Sequence, residues 1–200
     1  MYTKSNQLLI EAVWTPKENI IWIQRFILAG LGVLFLIIAA KIKLILPFSP
    51  VPITLGTFAV LTIGTVYGQR LGLFTIFGYL LIGMLGFDVF ANSSAEANGI
   101  SYMFGGTGGY LLGYCFAIIA LGYFAKLNWD RNIFKLSVAL IVANLLIYIP
   151  GLLWLGQLYG WDQPIVAWGL TPFIIGDFLK LALTASLIPI IWKIFDYFKS

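Results

Sequence analysis

Asp177 and Lys180 are the two residues of this sequence whose side-chain types and spacing best suit a role in binding or catalysis. They lie within residues 176–180, which read Gly-Asp-Phe-Leu-Lys inside a long apolar run. On a helix, this i, i+3 spacing places both side chains on one face. A charged side chain in hydrocarbon costs about 2.5–3.5 kcal/mol on insertion scales, so such residues normally face a cavity, a partner or a ligand. The pair could bind a polar ligand, perform acid–base catalysis, or form an ion pair that only eases helix insertion.

The composition places this pair in an integral membrane protein. Hydrophobic residues make up 60% of the 200 and charged residues only 10%, whereas a soluble domain is about 25% charged. The sequence has no histidine, which excludes His-based acid–base catalysis, Ser-His-Asp triads and His-ligated metals. Cys115 is the single cysteine and cannot close an intrachain disulfide, and no P-loop occurs. We therefore expect no cofactor, no metal and no ATP hydrolysis by a P-loop.

Six apolar segments are long enough to be membrane spans. The predicted fold is an all-α bundle of six transmembrane helices in one domain, residues 21–200, preceded by a cytoplasmic or interfacial segment, residues 1–20. We expect no cleaved signal peptide. The predicted spans are residues 21–46, 52–67, 71–87, 108–124, 133–158 and 172–195, with a tight turn at 68–70 between the second and the third.

The distribution of Lys and Arg predicts that both termini lie in the cytoplasm. In that orientation nine of the twelve basic residues lie inside, namely Lys4, Lys17, Arg25, Arg70, Lys126, Arg131, Lys135, Lys193 and Lys199. The sixth span then places Asp177 and Lys180 in the outer half of the membrane, near a long polar outer loop, residues 88–107. The net charge of +4 is explained by the basic residues on the cytoplasmic side of the membrane. We therefore expect a lipid bilayer and no nucleic acid as partner.

Packing alone would explain two other features. Asn144 in the fifth span could form a hydrogen bond between helices, and we favour that structural role. Gly105, Gly109 and Gly113 recur every four residues, a spacing that is typical of close helix packing.

Three stretches, taken together, carry a family resemblance. Residues 50–55 read Pro-Val-Pro-Ile-Thr-Leu, residues 105–113 read Gly-Gly-Thr-Gly-Gly-Tyr-Leu-Leu-Gly, and residues 176–180 contain the acid–base pair. In this order and in a six-span setting they resemble the BioY family, the biotin-binding S components of energy-coupling-factor (ECF) vitamin transporters. The resemblance extends from about residue 21 to the end of the chain.

The resemblance implies a multi-pass protein of a prokaryotic cell membrane that binds biotin with high affinity from outside. Uptake would then be powered by a separate transmembrane T component with two ATP-binding subunits, and the chain itself would not be an enzyme. The alternatives are an S component or transporter for another small vitamin, an integral membrane enzyme, and a structural scaffold. A scaffold would keep any ligand affinity when the acid–base pair is substituted.

The resemblance also implies roles for individual residues. In the family the Asp and the Lys of the Gly-Asp-x-x-Lys stretch contact the ligand, and here these are Asp177 and Lys180. A carboxylate can accept the N–H groups of biotin's ureido ring, while an ammonium can bind either the ureido carbonyl or the valerate carboxylate. Tyr110 and Phe90 are candidates for the apolar wall, and Gly109 is a further candidate for substrate binding.

The sequence departs from the family pattern at three places, one of which is Gly106, where the glycine-rich motif usually has a Pro. The loop after the third span is longer than the usual Gly-rich stretch, and its best placed amide is Asn98, with Asn92 second. Leu111 stands where some members carry an Arg. If that Arg holds the valerate in those members, this chain must use Lys180, loop backbone amides or water.

Overall fold

The computed structural model describes residues 7–14, 20–93 and 98–199. Our predictions for Lys4, Lys17 and residues 94–97 lie outside the described residues. The described chain is mostly helical, and five of its helical segments are long and apolar enough to cross a membrane. These segments are Ile21–Lys41, Gly56–Met84, Gly108–Lys126, Ile133–Tyr159 and Ile165–Phe198.

The elements follow one another as a helical bundle with one small sheet. The helices are α1 (Leu9–Val13), α2 (Ile21–Lys41), α3 (Gly56–Met84), α4 (Gly99–Met103), α5 (Gly108–Lys126), α6 (Ile133–Tyr159), α7 (Ile165–Gly169) and α8 (Ile174–Lys199). The strands are β1 (Lys43–Leu44) and β2 (Ile53–Thr54), and short 3-10 helices occupy Trp129–Arg131 and Thr171–Phe173.

The chain reverses direction inside α3 at Gly68. This residue has φ 71° and ψ −173°, which are not helical values. Thr57 and Tyr79 line the same cavity, although 22 residues of straight helix would separate them by about 33 Å. The two halves of α3 therefore lie side by side. Gly68 is required at this turn because its φ is positive and because a Cβ would lie 2.5 Å from the Leu8 side chain.

The connection between α2 and α3 differs from the prediction. α2 ends at Lys41 and not at residue 46, because β1 pairs with β2 in an antiparallel ladder that sets Lys43 opposite Thr54. Prolines at positions 47, 50 and 52 cannot donate a backbone hydrogen bond and favour extended neighbours. The fold is therefore not purely helical, and α3 begins at Gly56 and not at residue 52.

Glycines set the distance between α5 and α6. A Cβ on Gly113 would lie 2.7 Å from the Cα of Ile147, and a Cβ on Gly109 would collide with Pro150 and Trp154. The predicted packing role is thus confirmed for Gly109 and Gly113. Gly105 lies before α5 begins, and its nearest contact is the carbonyl of Tyr102.

Candidate functional site

Asp177 and Lys180 form a buried ion pair near the beginning of α8. Asp177 lies in the first turn of that helix, and the Lys180 Nζ donates to its Oδ1 over 2.9 Å. Lys180 Nζ also donates to Oγ1 of Thr57, in α3, over 3.0 Å. The two charged residues are only 3% and 7% exposed. The i, i+3 spacing therefore places both charges together, as the sequence predicted.

A second pair of side chains holds the other oxygen of Asp177. Asn144 Nδ2 donates to Oδ2 over 3.1 Å, and the Tyr148 hydroxyl donates to the same atom over 2.5 Å. Asn144 and Tyr148 are four residues apart in α6 and thus lie on one face. The hydrogen bond between helices predicted for Asn144 is confirmed, and its partner is the site carboxylate.

This network leaves hydrogen-bonding capacity unused. A carboxylate has about four lone-pair positions, and three protein donors reach Asp177. An ammonium has three N–H donors, and Lys180 uses two of them on protein acceptors. Asn144 Oδ1 is buried and has no partner among the described residues. A ligand with both N–H and C=O groups could use these positions.

A narrow cavity with aromatic walls lies beside this network. Its volume in this conformation is about 60 Å³, below the roughly 300–1,000 Å³ of typical ligand sites, so ligand entry requires it to widen. Lys180, Thr57 and Thr107 supply polar lining groups. The aromatic lining residues are Tyr79, Phe90, Tyr102, Tyr110, Tyr114, Tyr148 and Phe173.

Phe90 covers the cavity from the loop that follows α3. Its ring stacks on Tyr102 with centroids 4.8 Å apart and meets Tyr79 edge-on at 5.4 Å. Lys41 holds this loop by donating to Oδ1 of Asp88 over 2.5 Å and to the carbonyl of Phe90 over 2.8 Å. The position of Phe90 thus depends on a lysine at the end of α2.

The charge on Asp88 is favoured by its neighbours. Hydrogen bonds from Lys41 and from Ser93 lower the pKa of the Asp88 carboxyl from its ordinary value. Lys43 also binds this loop. Its Nζ donates to the carbonyl of Ala91 and, over 3.0 Å, to Oδ1 of Asn92. The loop is therefore bound to the end of α2 through Lys41 and to β1 through Lys43.

The predicted site residues fall into two groups. Phe90, Tyr110 and Lys180 line the cavity. Asp177 contacts Lys180 and Tyr148, both of which line it, but Asp177 itself is not among the described lining residues.

The second group lies outside the cavity wall that the structure describes. Asn92 accepts a hydrogen bond from Lys43, and Asn98 immediately precedes α4. Gly109 packs against Pro150 and Trp154. Ligand contacts for all seven predicted residues stay predictions.

Thr57 and Tyr148 were not predicted as site residues, and Asn144 was predicted to serve packing alone. The sequence does contain a signal for Asn144 and Tyr148. Their spacing of four residues puts two hydrogen-bonding groups on one face of an apolar helix. Thr57 had no such signal, since one threonine near the start of a span is common.

Known proteins share both sequence and fold with this chain. The biotin transporter BioY of Thermotoga maritima is 31% identical over 163 residues, which cover 81% of this chain and 92% of that protein. The biotin transporter BioY2 of Lactococcus lactis is 34% identical over 74% of this chain and 79% of its own length.

A solved structure extends the comparison to three dimensions. The 2.1 Å crystal structure of the S-component for biotin from an ECF-type ABC transporter has a TM-score of 0.75 and covers 88% of this chain and 94% of that one. Its identity to this chain is 23%, so the likeness shows a shared fold. The family model for BioY matches residues 9–197. Because this match covers nearly the full length of the chain, including the ion pair in α8, the chain belongs to the BioY family.

Proposed function

We propose that this chain binds biotin from outside the cell and serves as the S component of an ECF transporter. The observation that carries the proposal is the unused hydrogen-bonding capacity of Asp177, Lys180 and Asn144 beside an aromatic cavity. Biotin combines a cyclic urea, which has two N–H groups and a carbonyl, with an apolar bicycle and a carboxylate tail. The cyclic urea and the apolar bicycle each have a counterpart of matching chemistry in the site or its walls.

The geometry of the ion pair favours the ureido ring as the partner of Lys180. The ammonium and the carboxylate are 2.9 Å apart, and a urea presents its carbonyl and its N–H on adjacent atoms. One edge of the ring can therefore accept from Lys180 and donate to Asp177. The valerate carboxylate is several bonds away and would lie closer to the loop that carries Phe90.

We further propose six membrane spans with both termini in the cytoplasm. The reversal at Gly68 supports counting α3 as two spans, beside α2, α5, α6 and α8. Arg25, Arg70 and Lys126 line one cavity, whereas Lys41 and Lys43 lie with the loop over the binding cavity. This uneven distribution of basic residues supports a site that opens to the outside.

The sequence contains no P-loop, so ATP hydrolysis by that motif would have to come from other subunits. We propose a transmembrane T component and two ATP-binding subunits as partners. Co-expression with such a module should yield a complex that carries biotin into vesicles only when ATP is supplied. Uptake of the same rate without ATP would contradict this assignment.

Another small vitamin is the second candidate ligand, because the site and not the fold sets the substrate. An enzyme is not supported, since the relatives above are transporters. Titration calorimetry with the purified chain separates the candidate ligands. We expect saturable binding of biotin, with one site per chain, and no displacement by thiamine or riboflavin. A folded chain that does not bind biotin would overturn the proposal.

Two biotin analogues test the orientation of the ligand. The methyl ester of biotin keeps the ureido ring and removes the carboxylate charge, so it should retain most of the affinity. The diamine formed by removing the ureido carbonyl should lose most of it, because Lys180 then has no acceptor. The reverse order would show that Lys180 holds the valerate.

A further inference from the structure

A groove lies between the beginning of α6 and the second half of α8, far from the biotin cavity. Its volume is about 500 Å³. Lys193, which lines it, follows Lys180 by 13 residues, or about 20 Å along a helix. Pro189 also lines the groove and cannot donate a hydrogen bond to the carbonyl of Ala185. The helix itself continues through this position, from Ile174 to Lys199.

The groove carries two cationic side chains, Arg131 and Lys193. Neither forms an ion pair with any residue that the structure describes. The carboxylate nearest in sequence to Arg131, that of Asp130, is fully buried and accepts a hydrogen bond from Trp192 Nε1 over 2.6 Å. The carboxylate nearest in sequence to Lys193 is that of Asp196, which is exposed three residues farther along α8. Neither carboxylate lines the groove. The surface of the groove is thus positively charged.

The guanidinium of Arg131 is held in place by an aromatic ring. Its Cζ lies 4.2 Å from the centroid of the Trp192 ring, an arrangement in which a cation is attracted to the ring face. Since Trp192 is itself fixed by Asp130, the cation needs little further ordering when an anion binds.

Apolar groups complete the groove. Ile133 and Phe134, at the start of α6, line it and are 51% and 78% exposed. The start of a membrane-spanning helix lies at the depth of the lipid headgroups. Here cations and apolar side chains adjoin, which suits a molecule with an anionic head and hydrocarbon tails and does not suit free phosphate.

We propose that this groove binds an anionic phospholipid, with its phosphate between Arg131 and Lys193 and an acyl chain along Phe134. Basic pockets between transmembrane helices are recognised sites for anionic headgroups. The site is separate from the biotin cavity, so it holds whether or not the chain transports biotin.

Native mass spectrometry of the purified chain with dioleoyl phosphatidylglycerol and dioleoyl phosphatidylcholine tests the proposal. We expect phosphatidylglycerol to bind more tightly, and Lys193→Gln to weaken it by about fivefold, since one basic residue near the membrane surface contributes roughly 1 kcal/mol. Lys135→Gln is the matched control, because Lys135 is exposed on the first turn of α6 but does not line the groove.

Several outcomes would overturn the proposal. They are equal binding of the two lipids, unchanged lipid preference in Lys193→Gln, and an equal loss in Lys135→Gln. Displacement of the lipid by millimolar glycerol phosphate would show a phosphate site instead. Preferential binding of an acidic peptide would show a protein-docking surface. The melting temperature of Lys193→Gln confirms folding, and its biotin affinity should equal that of the wild type.

Discussion

The hydroxyl of Tyr148 lies 2.5 Å from Oδ2 of Asp177, so a residue of α6 fixes the carboxylate that α8 presents to Lys180. Tyr148 also lines the cavity. One side chain thus connects the buried ion pair to the space that a ligand would enter, and the strength of the site depends on the packing of α6 against α8.

Tyr148→Phe should weaken biotin binding by about tenfold or more. The ring stays in place, but a hydrogen bond to a charged group is lost, which is worth about 1.5–3 kcal/mol. Titration calorimetry measures the change. Tyr123→Phe is the control, because Tyr123 is 58% exposed on α5 and does not line the cavity. Equal affinities for the wild type and Tyr148→Phe would remove Tyr148 from the site.

Lys41→Met should speed biotin dissociation, because the loop that carries Phe90 loses its contact with α2. An exposed ion pair contributes up to about 1 kcal/mol, so the rate should rise by up to about fivefold. A chase of bound radiolabelled biotin measures it, with the exposed Lys135→Met as control. An unchanged rate would show that the lysine does not hold the loop closed.

The same contact predicts the effect of pH on the loop. The pKa of Asp88 is lowered by hydrogen bonds from Lys41 and Ser93. Stabilisation by this carboxylate is therefore present above its ordinary pKa and is lost only as the pH falls through the lowered value. Between about pH 5 and 8 the Lys41 effect on the dissociation rate should be constant. An effect that vanishes within this window would contradict the assignment.

Gly113→Ala should destabilise the chain by about 1–3 kcal/mol, because overpacking forces helices apart. The new Cβ would lie 2.7 Å from the backbone of Ile147. Gly30→Ala is the matched control, since no atom lies within 4 Å of a Cβ at that position. Thermal unfolding in detergent should show a lower melting temperature for Gly113→Ala only. Equal melting temperatures for Gly113→Ala and the wild type would show that α5 and α6 are not in close contact at this position.

Asp130→Asn should change how stability depends on pH. Burial raises the pKa of Asp130 to about 6, so the folded state binds a proton more tightly than the unfolded state. Stability from this group is greatest at low pH and falls as the pH rises from about 4 to about 6. Asn keeps an acceptor for Trp192 and has no charge to bury. The melting temperature of the variant should therefore exceed that of the wild type at pH 7.5, and by a smaller margin at pH 4.5. A loss at pH 7.5 would contradict this.

The acid–base pair could be found from sequence because its signal is local. A charge inside an apolar span is conspicuous, and the i, i+3 spacing alone brings Asp177 and Lys180 within reach of each other on a helix. The reversal at Gly68 was also predictable, since Gly68-Gln69-Arg70 interrupts two apolar runs.

The rest of the site depends on packing between distant segments. Thr57 and Lys180 are 123 residues apart, and Tyr148 and Asp177 are 29 apart. The residue pattern of a single helix does not indicate which other helices pack against it. The end of α2 was missed for another reason, because the apolar residues at 42–46 suit a strand as well as a helix.

The claim that the buried pair of Asp177 and Lys180 binds biotin is best tested by one measurement. This is the equilibrium affinity of biotin for the wild type and for Asp177→Asn. Removing this charge leaves Lys180 buried without its counter-ion, and truncation of one partner in a buried ion pair costs about 2–5 kcal/mol. We predict tight, saturable binding by the wild type and at least about a thirtyfold loss in a folded Asp177→Asn chain. A folded variant that binds biotin as tightly as the wild type would contradict this claim.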